Sequence, residues 1–75
     1  MSLRTFVLRR LEDETGVSGT GDVAHGCLFP DGKVAVRWCV GTHRSTSLWD
    51  SLEAVEAIHG HGGKTKVVWV SQIDV

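Results

Sequence analysis

Val34, Val36, Trp38 and Val40 alternate with Ala35, Arg37 and Cys39. A two-residue period puts the first set on one face of a strand and the second set on the other, so Lys33 to Val40 predicts a strand. Asp22 to Phe29 predicts the strand before it. Pro30-Asp31-Gly32 between them is a turn, because Pro presets one dihedral and Gly accepts positive φ. The two strands form a hairpin. Pairing Phe29 with Val34 sets Cys27 opposite Val36 and Cys39 opposite Ala24, with the thiols on opposite faces; a one-residue slip would bring them onto one face. Thr5 to Leu11, with Thr5, Phe6 and Val7, predicts an earlier strand, and Ser45 to Trp49 a short later one. Thr65 to Val70 (TKVVWV) predicts the last, followed by a polar tail from Ser71 to Val75.

Only one segment has helical spacing. Leu52, Val55, Ile58 and His59 recur at intervals of three and four. Asp50 as N-cap with Glu53 three residues on makes a capping box. Glu53 and Glu56 suit the positive end of the helix dipole, and Gly60 supplies a C′ stop. The helix is expected at about residues 51–59. Glu12 to Gly21 (EDETGVSGTG) is polar and turn-rich and predicts a loop.

The resulting order is β-β-β-β-α-β, an α+β and mostly β chain forming a single domain over residues 1–75. Two architectures fit: a small, SH3-like, partly open barrel, or a bent antiparallel sheet with the helix on one face. In both, the apolar stripe of the helix must cover something. At this length one core is all the chain can support, and it is marginally stable alone. Trp38 and Trp69, in the two clearest strands, are expected in the core. Trp49, at the strand-to-helix junction, is expected to be partly exposed.

Charge and cysteine content narrow the function classes. Eight Lys and Arg against nine Asp and Glu give a net charge of −1. That lacks the basic surplus that non-specific nucleic-acid binding needs, so nucleic acid is not an expected partner. Two cysteines do not make a disulfide framework; free, mostly buried thiols in a reducing compartment are expected. Neither a signal-peptide h-region nor a run near the ~20 apolar residues of a membrane span is present, so the expected setting is cytoplasmic, without a membrane partner.

Candidate chemistry centres on the glycine stretches. Gly63-Lys64-Thr65 ends like a phosphate loop, but Ile58 stands where the first glycine belongs, and a helix ends there instead of beginning. Gly16 to Gly21 could wrap an anion with backbone N–H groups, but no helix follows it, and turn or β-bulge geometry is the better explanation. His25, Cys27, Cys39, His43, His59 and His61 are zinc-ligand types, but H-x-C and H-x-H are not the usual ligand spacings, so no metal or other cofactor is expected. No nucleophile stands beside a base at a recognisable spacing, so the chain is not expected to be an enzyme.

The segments Ser18 to Gly21 (SGTG), Asp31-Gly32, Arg37-Trp38, Ser45-Thr46 and His59 to Gly63 resemble a group of small uncharacterised proteins of actinobacteria, haloarchaea and their viruses. The likeness spans about residues 4–70. It implies a viral or prokaryotic setting and carries no mechanism.

The leading expectation is a small non-enzymatic binding module acting through protein–protein contacts, compatible with a homo-oligomer. Its candidate contact residues are Ser18, Thr20, Arg37, His43, Arg44, Trp49, His59 and His61. The alternative is a small-ligand or nucleotide-binding protein using the glycine-rich loops 16–21 and 60–63.

Overall fold

A computed structural model describes residues 2–11 and 21–74, the side chain of His61 excepted. Five strands and a helix follow in the expected order: β1 (Ser2–Arg10), β2 (Gly21–Leu28), β3 (Val34–Trp38), β4 (Thr46–Trp49), α1 (Leu52–His59) and β5 (Thr65–Asp74), with a short 3-10 turn at His61–Gly63 before β5. All neighbouring strands are antiparallel, in the order β4-β3-β2-β1-β5. The sheet does not close into a barrel. It is the open antiparallel sheet of the two expected architectures, with β4 and β5 as its edges. The Glu12 to Gly21 loop lies outside the described residues except for Gly21, which opens β2.

The hairpin register differs from the expected one by one residue. Leu28 pairs with Val34 and Cys27 with Ala35. The turn itself sets this. Phe29 N donates to Lys33 O at 2.8 Å and Gly32 N to Phe29 O at 3.0 Å. Gly32, at φ 90°, reverses the chain, and the N–H of Lys33 donates to Asp31 Oδ1 at 3.1 Å. Three residues therefore form the loop where four were expected, a length that places a left-handed residue before the returning strand. The slip brings Cys27 and Cys39 onto the same sheet face. Both are free and half-buried.

The core lies on one face, between the sheet and α1. Phe6, Leu8, Val23, Ala24, Val34, Val36 and Val55 form it, with Leu28, Trp38, Val40, Trp49, Leu52 and Val67 packed at its border. Two details shape this layer. Val23 is an extra residue in the β1–β2 ladder, which passes from Leu8↔Ala24 to Arg9↔Asp22. A bulge of this kind lets two successive residues turn inward, and Val23 and Ala24 are both fully buried. Gly26 lies opposite Phe6, and a Cβ there would overlap the Phe6 ring. The absent side chain is the space the ring occupies.

The helix starts one residue later than the capping box implied. Ser51 is the N-cap, and its hydroxyl accepts from Ala54 N at 3.2 Å. Asp50 instead faces Lys33 Nζ at 3.5 Å. Gly60 ends the helix as expected, itself in the right-handed region (φ −72°, ψ −24°). The left-handed positions come later, at Gly62 (φ 64°) and Gly63 (φ 94°). The expected polar tail is also strand. Ser71 to Asp74 continue β5 along Ser2 to Thr5, and the Thr5 and Ser71 hydroxyls hydrogen bond at 2.7 Å. Trp69, expected in the core, is 39% exposed. It meets Phe6 edge-on at 5.5 Å between ring centroids, and Arg4 lies 3.6 Å over its ring.

Candidate functional site

The expected contact residues fall into four groups. Ser18 and Thr20 lie outside the described residues, as does the side chain of His61. Trp49 and His59 come together on the covered face. The His59 ring packs edge-on against Trp38 at 4.7 Å and against Trp49 at 5.3 Å. This joins the last turn of α1 to β3 and β4, because Trp38 and Trp49 both point toward the helix side of the sheet. The Trp49 indole N–H donates to Ser47 Oγ at 2.9 Å, which fixes the ring along its own strand. Arg37 lies on the opposite face, opposite Thr46, and donates to its hydroxyl at 3.1 Å. His43 and Arg44 are exposed in the connection between β3 and β4. The sheet thus separates Arg37 from Trp49 and His59. His25 and Cys27 are also on the face opposite the helix, away from His59. Among the described residues no group of three or more His, Cys, Asp or Glu side chains is placed to hold a metal ion.

Sequence reasoning missed the apolar surface next to Trp49. Leu48 is 80% exposed and Phe29 41% exposed. With Pro30, Val34, Trp49 and Ala54 they line an open groove of about 850 Å³ between the β2–β3 turn, β4 and the first turn of α1. Lys33, Asp31 and Asp50 give it a charged rim. The signal for Leu48 was present in the alternation. Once Trp49 faces the core, its neighbour Leu48 must face outward. The outer edge of β4 has no strand partner among the described residues.

The other charged feature lies at the far end of the face opposite the helix. Arg9 Nε contacts Asp22 Oδ1 at 2.8 Å, with both side chains nearly half exposed. The hydrogen bond from Arg9 holds the Asp22 carboxyl below the usual carboxylate range, with the charges of Arg9 and His25 acting in the same direction and desolvation opposing them. The same hydrogen bond raises the Arg9 guanidinium.

The glycine stretch forms a second, smaller groove of about 460 Å³ between α1 and β5, lined by Gly60, Gly62, Gly63, Thr65, Lys66 and Trp69, among others. Several of its backbone donors are already used. Gly60 N donates to Glu56 O, and Gly63 N and Thr65 N both donate to Gly60 O. One polar atom there is left over: the buried Thr65 hydroxyl has no hydrogen-bond partner among the described residues.

Compared with known proteins, the chain matches one family model, described as Acb5 phage protein, over residues 3–71. No curated protein and no solved structure gives a significant match.

Proposed function

The chain belongs to the Acb5 phage protein family, and from that premise we propose that it is a small phage accessory protein, a non-enzymatic binding module that acts through protein–protein contacts at the β4 end of its sheet. The observation that carries this reading is Leu48, 80% exposed on an edge strand beside an apolar groove. A lone exposed leucine is ordinary, but one that adjoins Phe29, Pro30 and Trp49 makes a continuous apolar surface with a charged rim. That is the anatomy of a recognition surface. The edge of β4, without a strand partner among the described residues, offers main-chain hydrogen bonds to an extended segment of a partner.

The test is capture of partners during phage infection by wild-type protein and by the Leu48→Lys variant. A partner held by the wild type and lost by the variant, with unchanged circular dichroism, supports the reading. Equal capture by both, or turnover of a common metabolite by the purified protein, overturns it.

The unpartnered Thr65 hydroxyl favours a second reading, in which the groove at Gly60 to Gly63 takes a small polar ligand such as a nucleotide. A ligand present at 100 times its Kd adds about 2.7 kcal/mol to stability. A nucleotide panel that leaves the melting temperature unmoved removes this reading.

A further inference from the structure

We infer that the partner at the β4 edge is a second copy of this chain, with β4 paired antiparallel to β4 about a two-fold axis through Ser47. This rests on reading the β4 end as a protein-binding surface. The argument begins with the backbone. Trp38 N donates to Ser45 O at 2.9 Å, and Val36 and Val34 stand opposite Ser47 and Trp49. Residues of an antiparallel strand direct their N–H and C=O groups alternately to one side and the other. Ser45, Ser47 and Trp49 therefore turn theirs toward β3, and Thr46 and Leu48 turn theirs outward. A second β4 can be engaged only in a register that sets outward residues against outward residues.

Side chains select among those registers. With Ser47 opposite its own copy, Thr46 of each chain pairs with Leu48 of the other, so the outward groups of both residues are used. Alternation carried beyond the strand puts Arg44 and Asp50 on the face of Thr46 and Leu48, and this same register sets each Arg44 against the Asp50 of the other copy. Both are exposed. The two permitted neighbouring registers, shifted by two residues either way, set Arg44 against Leu48 or Thr46 against Asp50. Neither pairs opposite charges. The chain is thus self-complementary about Ser47 in backbone phase, in charge and in apolar contact, because the two Leu48 side chains become diagonal neighbours on one face.

The two edges of the sheet are not equivalent. β5 carries a bulge at Val70, where the ladder passes from Thr5↔Ser71 to Phe6↔Trp69, and an exposed lysine, Lys66; both discourage pairing along an edge. β4 (Thr46–Trp49) has no lysine, proline or bulge. Pairing there makes one continuous sheet of ten strands from the five of each copy, with both helices on the same face. This is the isologous closed contact of a two-fold dimer.

The experiment is sedimentation equilibrium of the full chain over a range of concentrations at low salt, with circular dichroism as a check on folding. The wild type is expected to form a dimer. Arg44→Asp and Asp50→Arg should each weaken association by at least about tenfold, since like charges then face each other. The double variant, Arg44→Asp with Asp50→Arg, should restore it to within about threefold, because the opposite charges are re-formed in exchanged places. In the dimer the Thr46 and Leu48 amides should exchange more slowly as protein concentration rises. A wild type that is monomeric at every concentration overturns the inference, as does a dimer indifferent to all three variants. If the wild type is monomeric yet Leu48→Lys still loses its captured partner, the dimer fails and the binding surface stands. If the wild type is monomeric and Leu48→Lys captures the same partners as the wild type, both fail.

Discussion

Phe6 has its place because position 26 has no side chain. The ring lies where a Cβ at Gly26 would be. Gly26→Ala is therefore expected to lower stability by about 1–3 kcal/mol, the usual cost of overpacking a core, measured by urea denaturation. Adding Phe6→Leu should return part of that loss, since the two residues compete for one volume. In the sequence Gly26 is unremarkable, a glycine between His25 and Cys27, and only the cross-strand register shows which ring it accommodates. The Arg9–Asp22 pair gives a second expectation at this scale. The Asp22 carboxyl is held below its ordinary value in the folded chain. The unfolded chain therefore binds the proton first as pH falls. The contribution of the pair is full above the ordinary aspartate value of about 3.9 and disappears as pH drops through the lower folded value. The pair is solvent-exposed, so the effect is small and weakened by salt. The stability of Asp22→Asn compared with wild type should differ above about pH 4 and converge in stronger acid.

At the scale of elements, order and type were legible, and the joints between elements were less so. The alternation at Val34, Val36, Trp38 and Val40 located β3 because its period is backbone geometry. The hairpin register was not legible, because Pro30-Asp31-Gly32 suits loops of three or four residues and the hydrogen bonds of Phe29 make the choice. The helix start was ambiguous for a similar reason: Asp50 and Ser51 are both good caps. Ser51→Ala should cost about 1 kcal/mol, while Asp50→Ala should stay within about 0.5 kcal/mol, as read by thermal unfolding. Ser71 to Asp74 read as a tail because their side chains are polar. Their role lies in the main chain, pairing with Ser2 to Thr5. A chain ending at Val70 should melt at least about 4 °C lower, the shift expected for roughly 1 kcal/mol in a domain of this size. Of the candidate site, the aromatic half was visible in Trp49 and His59. The apolar half, Leu48 and Phe29, emerged only once the faces were assigned.

At the scale of the molecule, α1 is what covers the core face of the sheet among the described residues, and the cover is slender. Val55 is the one fully buried side chain of α1 among those described, and the helix reaches from β4 at one edge to β5 at the other. Val55→Ala should therefore loosen the whole layer, at a cost of at least about 1.5 kcal/mol; protection of the α1 amides from exchange should fall by more than that of the β1–β2 ladder. No helix among the described residues is long and apolar enough to cross a membrane.

The position of β1 has a consequence for how the chain comes together. β1 precedes the other four described strands in sequence, and it has β2 on one side and β5 on the other. The β2–β3 hairpin can form from neighbours in sequence, but the second ladder of β1 joins residues separated by most of the chain. Such closures carry the entropy of a long loop before any contact offsets it, and they slow folding. The sheet cannot be completed until β5 has been synthesised. Until then, the edge of β1 reserved for β5 stays open to any other strand that reaches it first.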